Sequence, residues 1–239
     1  MNWNTLLARS YVPYSGRHEA CVVEGKSGTY YAGVRIENIA FPDTISAIQV
    51  ALFTCMSEND KPVKLILRNN ANKDHDLVNF WQDEYNLTVT VEDTLPEFTL
   101  FQKKYPLRSD INKLMEDLLD QAVVPNSDFP VSALIETYDG FISGVNMECS
   151  EWRLGLCAER MAIAKAVTMG YEIFDGIHIH TKYGEYSSPC GACRQVIIEH
   201  LPDKPVHLFH ADKTHSIHSS SHLLPNSFQS KKLKKLIIE

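Results

Sequence analysis

Two stretches of this chain repeat one order of landmarks, and an internal repeat restricts the fold more tightly than composition can. The first half runs Pro13-Tyr14-Ser15, then Gly33-Val34-Arg35-Ile36-Glu37-Asn38, and closes on Leu95-Pro96-Glu97-Phe98. The second runs Pro125-Asn126-Ser127, then Gly144-Val145-Asn146-Met147-Glu148-Cys149, and closes on Leu224-Pro225-Asn226-Ser227-Phe228. Pro13 and Pro125 lie 112 positions apart, and Gly33 and Gly144 lie 111 apart. Three landmarks in the same order predict a duplicated domain, with residues 1–107 and 108–239 as its copies and a junction near Arg108-Ser109-Asp110. At 239 residues and 44% hydrophobic content, the chain can bury one large core or two small ones.

The second half is the easier one to read for elements. Ile111, Leu114, Met115, Leu118 and Leu119 have helical spacing over 111–123, with Ser109 or Asp110 as the cap. Residues 131–135 and 141–145 read as strands around the turn Tyr138-Asp139-Gly140. An Ala-rich helix over 156–169 is stopped by Gly170, a strand follows over 176–180, then a helix over 190–200 and a strand over 206–209. The outline is α/β.

The residues that carry chemistry are Cys157-Ala158-Glu159-Arg160 and, 33 positions after Cys157, Pro189-Cys190-Gly191-Ala192-Cys193-Arg194-Gln195. Both groups fall at helix starts, where free N–H groups and a partial positive charge favour thiolates. Pro189 suits a first helical turn. Cys190 and Cys193 share a helix face, and Cys157 from a neighbouring helix start completes three ligands for a tetrahedral zinc whose fourth position is left for water. Zinc with an open position supplies hydroxide at neutral pH, and Glu159, two residues beyond a ligand, stands where it can carry the protons. Taken alone, Cys190-x-x-Cys193 also fits half of a structural zinc knuckle, a redox pair or two buried thiols. A structural four-cysteine site needs a second close pair, and Cys149 lies eight positions before Cys157.

Charge argues against a polyanionic substrate. Residues 1–107 carry 10 basic and 13 acidic side chains, and the remainder carries 13 and 17, so neither half is built to displace counterions from nucleic acid. The exception, Lys231, Lys232, Lys234 and Lys235, reads as a solvated helix end. His207, His210, His215, His218 and His222, interspersed with Ser219, Ser220 and Ser221, suggest a second metal by composition. Their spacing fits neither a helix face nor a known ligand pattern, and a solvated loop is expected there. The opening 14 residues lack a charged segment followed by an apolar core, and the apolar stretch 44–56 is too short for a bilayer, so a cytoplasmic location is expected, with no membrane partner.

Together the two cysteine elements resemble the zinc-binding signature of the cytidine deaminase family, and the likeness covers most of residues 110–229. The resemblance implies a duplicated three-layer domain, a mixed β-sheet flanked by helices. It implies one zinc per chain held by Cys157, Cys190 and Cys193, with Glu159 as proton carrier. Asn146 and Glu148 then fall where the family holds the ribose hydroxyl, Phe129 where an aromatic faces the pyrimidine, and Ala158 and Ser188 beside the substrate. Three thiolates leave zinc with a net charge of minus one, which Arg160, assisted by Arg194, is expected to balance. The family's usual Asn, Ala and Tyr after the ribose-binding Glu are Cys149, Ser150 and Trp152 here, and Asn126 replaces a Tyr. Cys149 is read as a buried thiol.

The first half resembles the same family without its chemistry. Aligning Glu37 with Glu148 sets Ser46 opposite Cys157 and Ile48 opposite Glu159, so this copy is expected to be architectural. Relatives with one working and one broken domain form dimers, which implies a homodimer here, with the usual domain order reversed. The expected reaction is hydrolysis of cytidine and deoxycytidine to uridine and deoxyuridine by a zinc-bound hydroxide, as in pyrimidine salvage. Alternatives are deamination of a modified cytosine nucleoside such as a nucleoside antibiotic, and a non-catalytic zinc-binding module.

Overall fold

The repeated landmarks correspond to repeated elements in a computed structural model of the chain, which describes residues 2–68, 76–95 and 99–228. Pro96, Glu97 and Phe98 of the first closing landmark and the lysine run at 231–235 lie outside these residues. In the first half, α1 (Trp3–Leu7) precedes β1 (Ala20–Gly25), β2 (Tyr30–Val34), α2 (Ala47–Ser57), β3 (Pro62–Leu67), α3 (Asp76–Tyr85) and β4 (Thr88–Val91). The strands form one sheet in the order β2-β1-β3-β4, antiparallel except for the β3–β4 pair.

The second half follows the same course: α4 (Ile111–Leu118), β5 (Val131–Thr137), β6 (Gly140–Val145), α5 (Ala158–Met169), β7 (Gly176–Thr181), α6 (Gly191–His200) and β8 (Pro205–Phe209). It then adds β9 (His215–Ser219) and α7 (Ser220–Leu223). Its sheet order is β6-β5-β7-β8-β9, again with a single parallel pair, β7–β8. The duplicated α/β fold, with mixed sheets flanked by helices, agrees with the sequence reading.

The paired glycines of the repeat have a packing reason. A Cβ on Gly33 would stand 2.0 Å from the Ala47 carbonyl oxygen, and one on Gly144 would stand 2.3 Å from that of Ala158. Only glycine lets β2 and β6 approach the first turns of α2 and α5 so closely. Those first turns begin at the residues in question, Ser46 and Cys157.

Helix α5 is apolar on nearly every side, with Met161, Ala162, Ile163, Ala164 and Ala166 fully buried, because its own sheet and α2 and β2 of the first half enclose it. Gly170 ends it in the left-handed region at φ 99°, donating to the Ala166 and Val167 carbonyls. Lys165 is buried on this helix. Its ammonium meets Glu58 at 3.0 Å, and Lys103 meets the other oxygen of Glu58 at 3.1 Å.

Across the junction the halves exchange like contacts. Glu199 of α6 accepts the Ile39 N–H at 3.0 Å, and Glu84 of α3 accepts the Ser150 N–H at 2.9 Å, two backbone groups that occupy equivalent places in the repeat. The contact is nearly self-complementary, as a two-fold interface between identical subunits is.

Some boundaries differ from the sequence reading. Asp110 caps α4, accepting from the Lys113 N–H, but the α-helix stops at Leu118 and tightens into a 3-10 turn over Leu119–Gln121. Cys157 and Cys190 are N-cap residues rather than helical ones, so Pro189 precedes the cap. His215 and His218 lie on β9, not in a solvated loop. The strand's polar residues concealed its alternation, and pairing with β8 supplies the backbone partners that an apolar pattern would have announced.

Candidate metal centre and substrate pocket

Helices α5 and α6 run side by side and begin at the same level, bringing Cys157, Cys190 and Cys193 together. All three Sγ atoms lie within 4.8 Å of one another, with Cys157 to Cys190 at 3.8 Å and Cys190 to Cys193 at 3.5 Å. Two thiolates about 2.3 Å from one tetrahedral zinc stand about 3.8 Å apart, so the sulfurs have the spacing of shared ligands. Neither N-cap cysteine accepts a capping hydrogen bond, which leaves both sulfurs available.

Packed this closely, the thiols divide their protons unequally. Hydrogen bonds from Cys157 and Cys193 pull Cys190 down to about 2, while sharing with Cys190 pushes Cys157 up to about 12, and sharing with Cys157 and then Cys190 pushes Cys193 up as well. A cation held by all three removes the inequality by displacing the remaining protons.

Glu159, on the first turn of α5, is buried. Burial raises its pKa above the ordinary carboxyl value, and negative charge on Cys190 adds to the rise; its own backbone N–H and the Cys193 thiol act against them. A carboxyl whose pKa is raised beside a candidate metal centre is better able to hold a proton than an ordinary one.

Arg160 reaches back from α5, its Nη2 3.8 Å from Cys157 Sγ and 3.4 Å from the Gly155 carbonyl. Burial alone lowers its pKa, yet Cys157 and Cys193 raise it overall, as expected of a cation set against thiolates. Arg194 is placed differently. Its guanidinium donates to the carbonyls of Pro189 and Leu223 at 2.8 and 3.3 Å and to Ser188 Oγ at 2.6 Å, bracing the turn that carries Cys190 through oxygen contacts rather than sulfur.

Glu148, Asn146 and Phe129, expected on the substrate side, form a second group. Glu148 Oε2 accepts the Asn126 and Ser127 N–H groups at 2.9 and 3.1 Å, and Oε1 accepts the Ser127 hydroxyl. A carboxylate has about four acceptor sites, so one is left for an incoming hydroxyl. Asn146 pins the adjacent strand start, accepting from the Val131 N–H at 2.7 Å and donating to the Phe129 carbonyl at 2.9 Å. The Phe129 ring is exposed, Ala158 is buried under the first turn of α5, and Ser188 is exposed two positions before Cys190. Cys149 is buried, its Sγ 3.2 Å from the Glu151 carbonyl oxygen.

Two contributions were not read from the sequence. Tyr183, on the loop between β7 and α6, brings its ring centroid 6.3 Å from that of Phe129. Gln49 of the first half donates to the Leu154 carbonyl at 2.8 Å, and Asp43, from a neighbouring first-half turn, lies within the field of Arg160. The repeat itself held the signal for Gln49, because the offset that pairs Ser46 with Cys157 also pairs Gln49 with Arg160.

With the site described, comparison with known proteins assigns its class. The family described as the cytidine and deoxycytidylate deaminase zinc-binding region matches residues 108–208, and a second family model of the same description matches residues 5–69. A cytidine deaminase of Sporosarcina psychrophila is 37% identical over 129 residues, which are 95% of that protein and 52% of this chain. One of Mycoplasma genitalium is 34% identical over 122 residues, 93% of its length and 50% of this one. A solved cytidine deaminase from Burkholderia pseudomallei is 34% identical and aligns over its whole length with half of this chain, at a TM-score of 0.47. The chain belongs to the cytidine deaminase family, a zinc-binding deaminase family, and carries its fold twice. Among the described residues, no helix is long and apolar enough to cross a membrane.

Proposed function

We propose that the chain is a zinc-dependent hydrolase that deaminates cytidine and deoxycytidine to uridine and deoxyuridine, with its working site in residues 108–239 and a retired copy in residues 1–107. The observation that carries the site assignment is the convergence of Cys157, Cys190 and Cys193 at two helix starts beside the buried Glu159. The three thiolates would hold one zinc per chain. When bound, the metal lowers the pKa of a coordinated water to about 7 and so supplies the nucleophile.

The chain's own residues do the rest. Glu148, held by Asn126 and Ser127, offers its remaining acceptor site to a ribose hydroxyl. Phe129 and Tyr183 flank the base at the mouth of the pocket. Glu159 would take one proton from the attacking water and give it to the ring nitrogen, then take the second from the hydroxyl left on the ring carbon and give it to the amino group, whose C–N bond breaks to release ammonia. Arg160 offsets the excess negative charge of the thiolates.

A homodimer in the cytoplasm, with a free nucleoside rather than a nucleic acid as substrate, completes the reading. The acidic balance of both halves supports the exclusion of nucleic acid. Phe41 and Trp152, 88% and 66% exposed on matching turns of the two halves, support a second copy covering them. Light scattering tests the dimer, and a fully active monomer would end that reading.

The decisive assay follows ultraviolet absorbance of the purified protein with cytidine, deoxycytidine and free cytosine, alongside zinc per chain. Turnover of both nucleosides, none of cytosine, and one zinc are expected. Glu159→Gln should lower turnover by about 10²-fold or more while zinc stays bound. Turnover of only a modified cytosine nucleoside would redirect the substrate assignment, and an inactive zinc protein unaffected by Glu159→Gln would make it a binding module.

A further inference from the structure

The imidazole cluster noticed in the sequence divides into two groups. His178, His207 and His215 form a ladder across β7, β8 and β9, beginning at Glu136, whose Oε2 lies 3.1 Å from His178 Nε2. His210 and His218 belong to a second group, built around the loop of residues 182–189 that joins β7 to α6.

That loop has the candidate substrate pocket at one end and the candidate metal centre at the other. Tyr183 stands against Phe129 near its start, and Ser188, Pro189 and Cys190 follow at its end. Ser187, fully buried, is its anchor. The Ser187 N–H donates to His210 Nδ1 at 3.0 Å, its hydroxyl donates to the Phe209 carbonyl at 2.7 Å, and Thr181 Oγ1 lies 2.7 Å from that hydroxyl.

The His210 ring is buried and held on both edges. Because Nδ1 accepts an N–H, the proton of the neutral ring belongs on Nε2, which lies 3.1 Å from Ser216 Oγ on β9. Tyr186 stacks over the ring with centroids 4.4 Å apart and places its hydroxyl 2.6 Å from His218 Nε2. The β8–β9 hairpin, whose second strand has no counterpart among the described elements of the first half, therefore clamps the loop from outside.

We propose that His210 is a positioning residue: by accepting the Ser187 N–H it sets the loop that presents Tyr183 to the substrate and Cys190 to zinc. The proposal rests on the reading of Cys190 as a ligand and Phe129 as facing the base. It assigns to the hairpin a role in the site, carried through backbone geometry rather than through contact with substrate.

The test uses the zinc-loaded enzyme and two readouts, the rate of zinc transfer to a chromogenic chelator and the separate KM and kcat for cytidine. His210→Ala should release zinc roughly tenfold faster and raise KM by a similar factor, with kcat changed less. His210→Asn keeps an acceptor in the place of Nδ1 and should return both quantities to within about twofold of the parent. His215→Ala, on the same hairpin but outside the clamp, should behave as the parent does. Unchanged release and KM in His210→Ala, equal damage in His215→Ala, or no rescue by His210→Asn would overturn the proposal. If His210→Ala does not fold, Ser216→Ala takes its place, with His218→Ala as its control: Ser216→Ala leaves Nδ1 intact but removes the hydroxyl shared by His210 Nε2, His218 Nε2 and Tyr186, so a shift in the same direction that exceeds that of His218→Ala supports the proposal, and no shift, or one no larger than in His218→Ala, refutes it. Should the parent turn over no cytidine, the function assignment fails, while the zinc-release comparison still decides the role of His210.

Discussion

At the start of α2, Ser46 accepts the Gln49 N–H at 3.2 Å and the Gln49 side chain returns to the Ser46 N–H at 3.1 Å, a complete capping box. At the start of α5, Cys157 and Arg160 occupy the equivalent positions and no side-chain cap forms. The same helix start, packed against the same kind of glycine, is satisfied from within in one half and left open in the other. The open end leaves the Cys157 sulfur free for a metal, with the Glu159 carboxyl and the Arg160 guanidinium on the same turn; the closed end contributes about 1 kcal/mol of helix stability.

The equivalent carboxylates Glu37 and Glu148 repeat the contrast. Glu37 Oε2 accepts the Tyr14 and Ser15 N–H groups at 3.1 and 3.0 Å, as Glu148 does with its own pair, and Ser15 hydroxyl bonds Oε1. Arg35 Nε then takes the last site on Oε1 at 3.1 Å. In the second half Asn146 stands in place of Arg35 and turns to the backbone, leaving Glu148 its free position. One longer, charged side chain fills the acceptor site of Glu37 in the first half, with the surrounding hydrogen bonds the same.

The largest effect should come from making the working helix start resemble the closed one. Cys157→Ser is expected to abolish zinc retention and reduce turnover to background, measured by metal content and absorbance; an active variant would break the contrast outright. Next comes the ion pair joining the halves. Lys165→Ala leaves one oxygen of the buried Glu58 carboxylate without its partner and should cost about 1.5–3 kcal/mol in denaturant unfolding. A loss below about 1 kcal/mol would mean that Lys103 alone satisfies Glu58.

Asn146→Arg, which copies Arg35, should occupy the free oxygen of Glu148 and raise KM by roughly 10–100-fold, the cost of a lost hydrogen bond to a charged group, with zinc content intact. Ser46→Ala should cost about 1 kcal/mol of stability and leave turnover near the parent value, because the closed end does no chemistry. The effect that is smallest at neutral pH appears only on acidification. His200 packs on Tyr11 across the junction, and burial lowers its pKa from 6.5 to about 4. A depressed histidine favours the folded state fully above the unfolded value, so stability should fall as pH drops from 6.5 through 4. His200→Gln should flatten that part of the unfolding-midpoint curve.

Much of this was legible in the chain itself. The cysteine spacing, with Glu159 two residues after Cys157, announced the metal centre because ligand chemistry tolerates few substitutes, and the paired glycines announced the duplication because no Cβ fits where β2 and β6 meet their helices. The strands and helices of the second half were readable wherever apolar residues kept a period. β9 was not, since its side chains are polar and only its pairing with β8 defines it.

The local sequence determined which groups could bind metal, which helix starts they occupied, and that the first copy lacked them. Tertiary structure alone decided that Gln49 reaches Leu154, that Lys165 and Glu58 are buried together, and that His210 accepts the Ser187 N–H. Each of these depends on distances between residues far apart in the chain. Such contacts are set by how sheets and helices pack, and no spacing along one strand or helix encodes them.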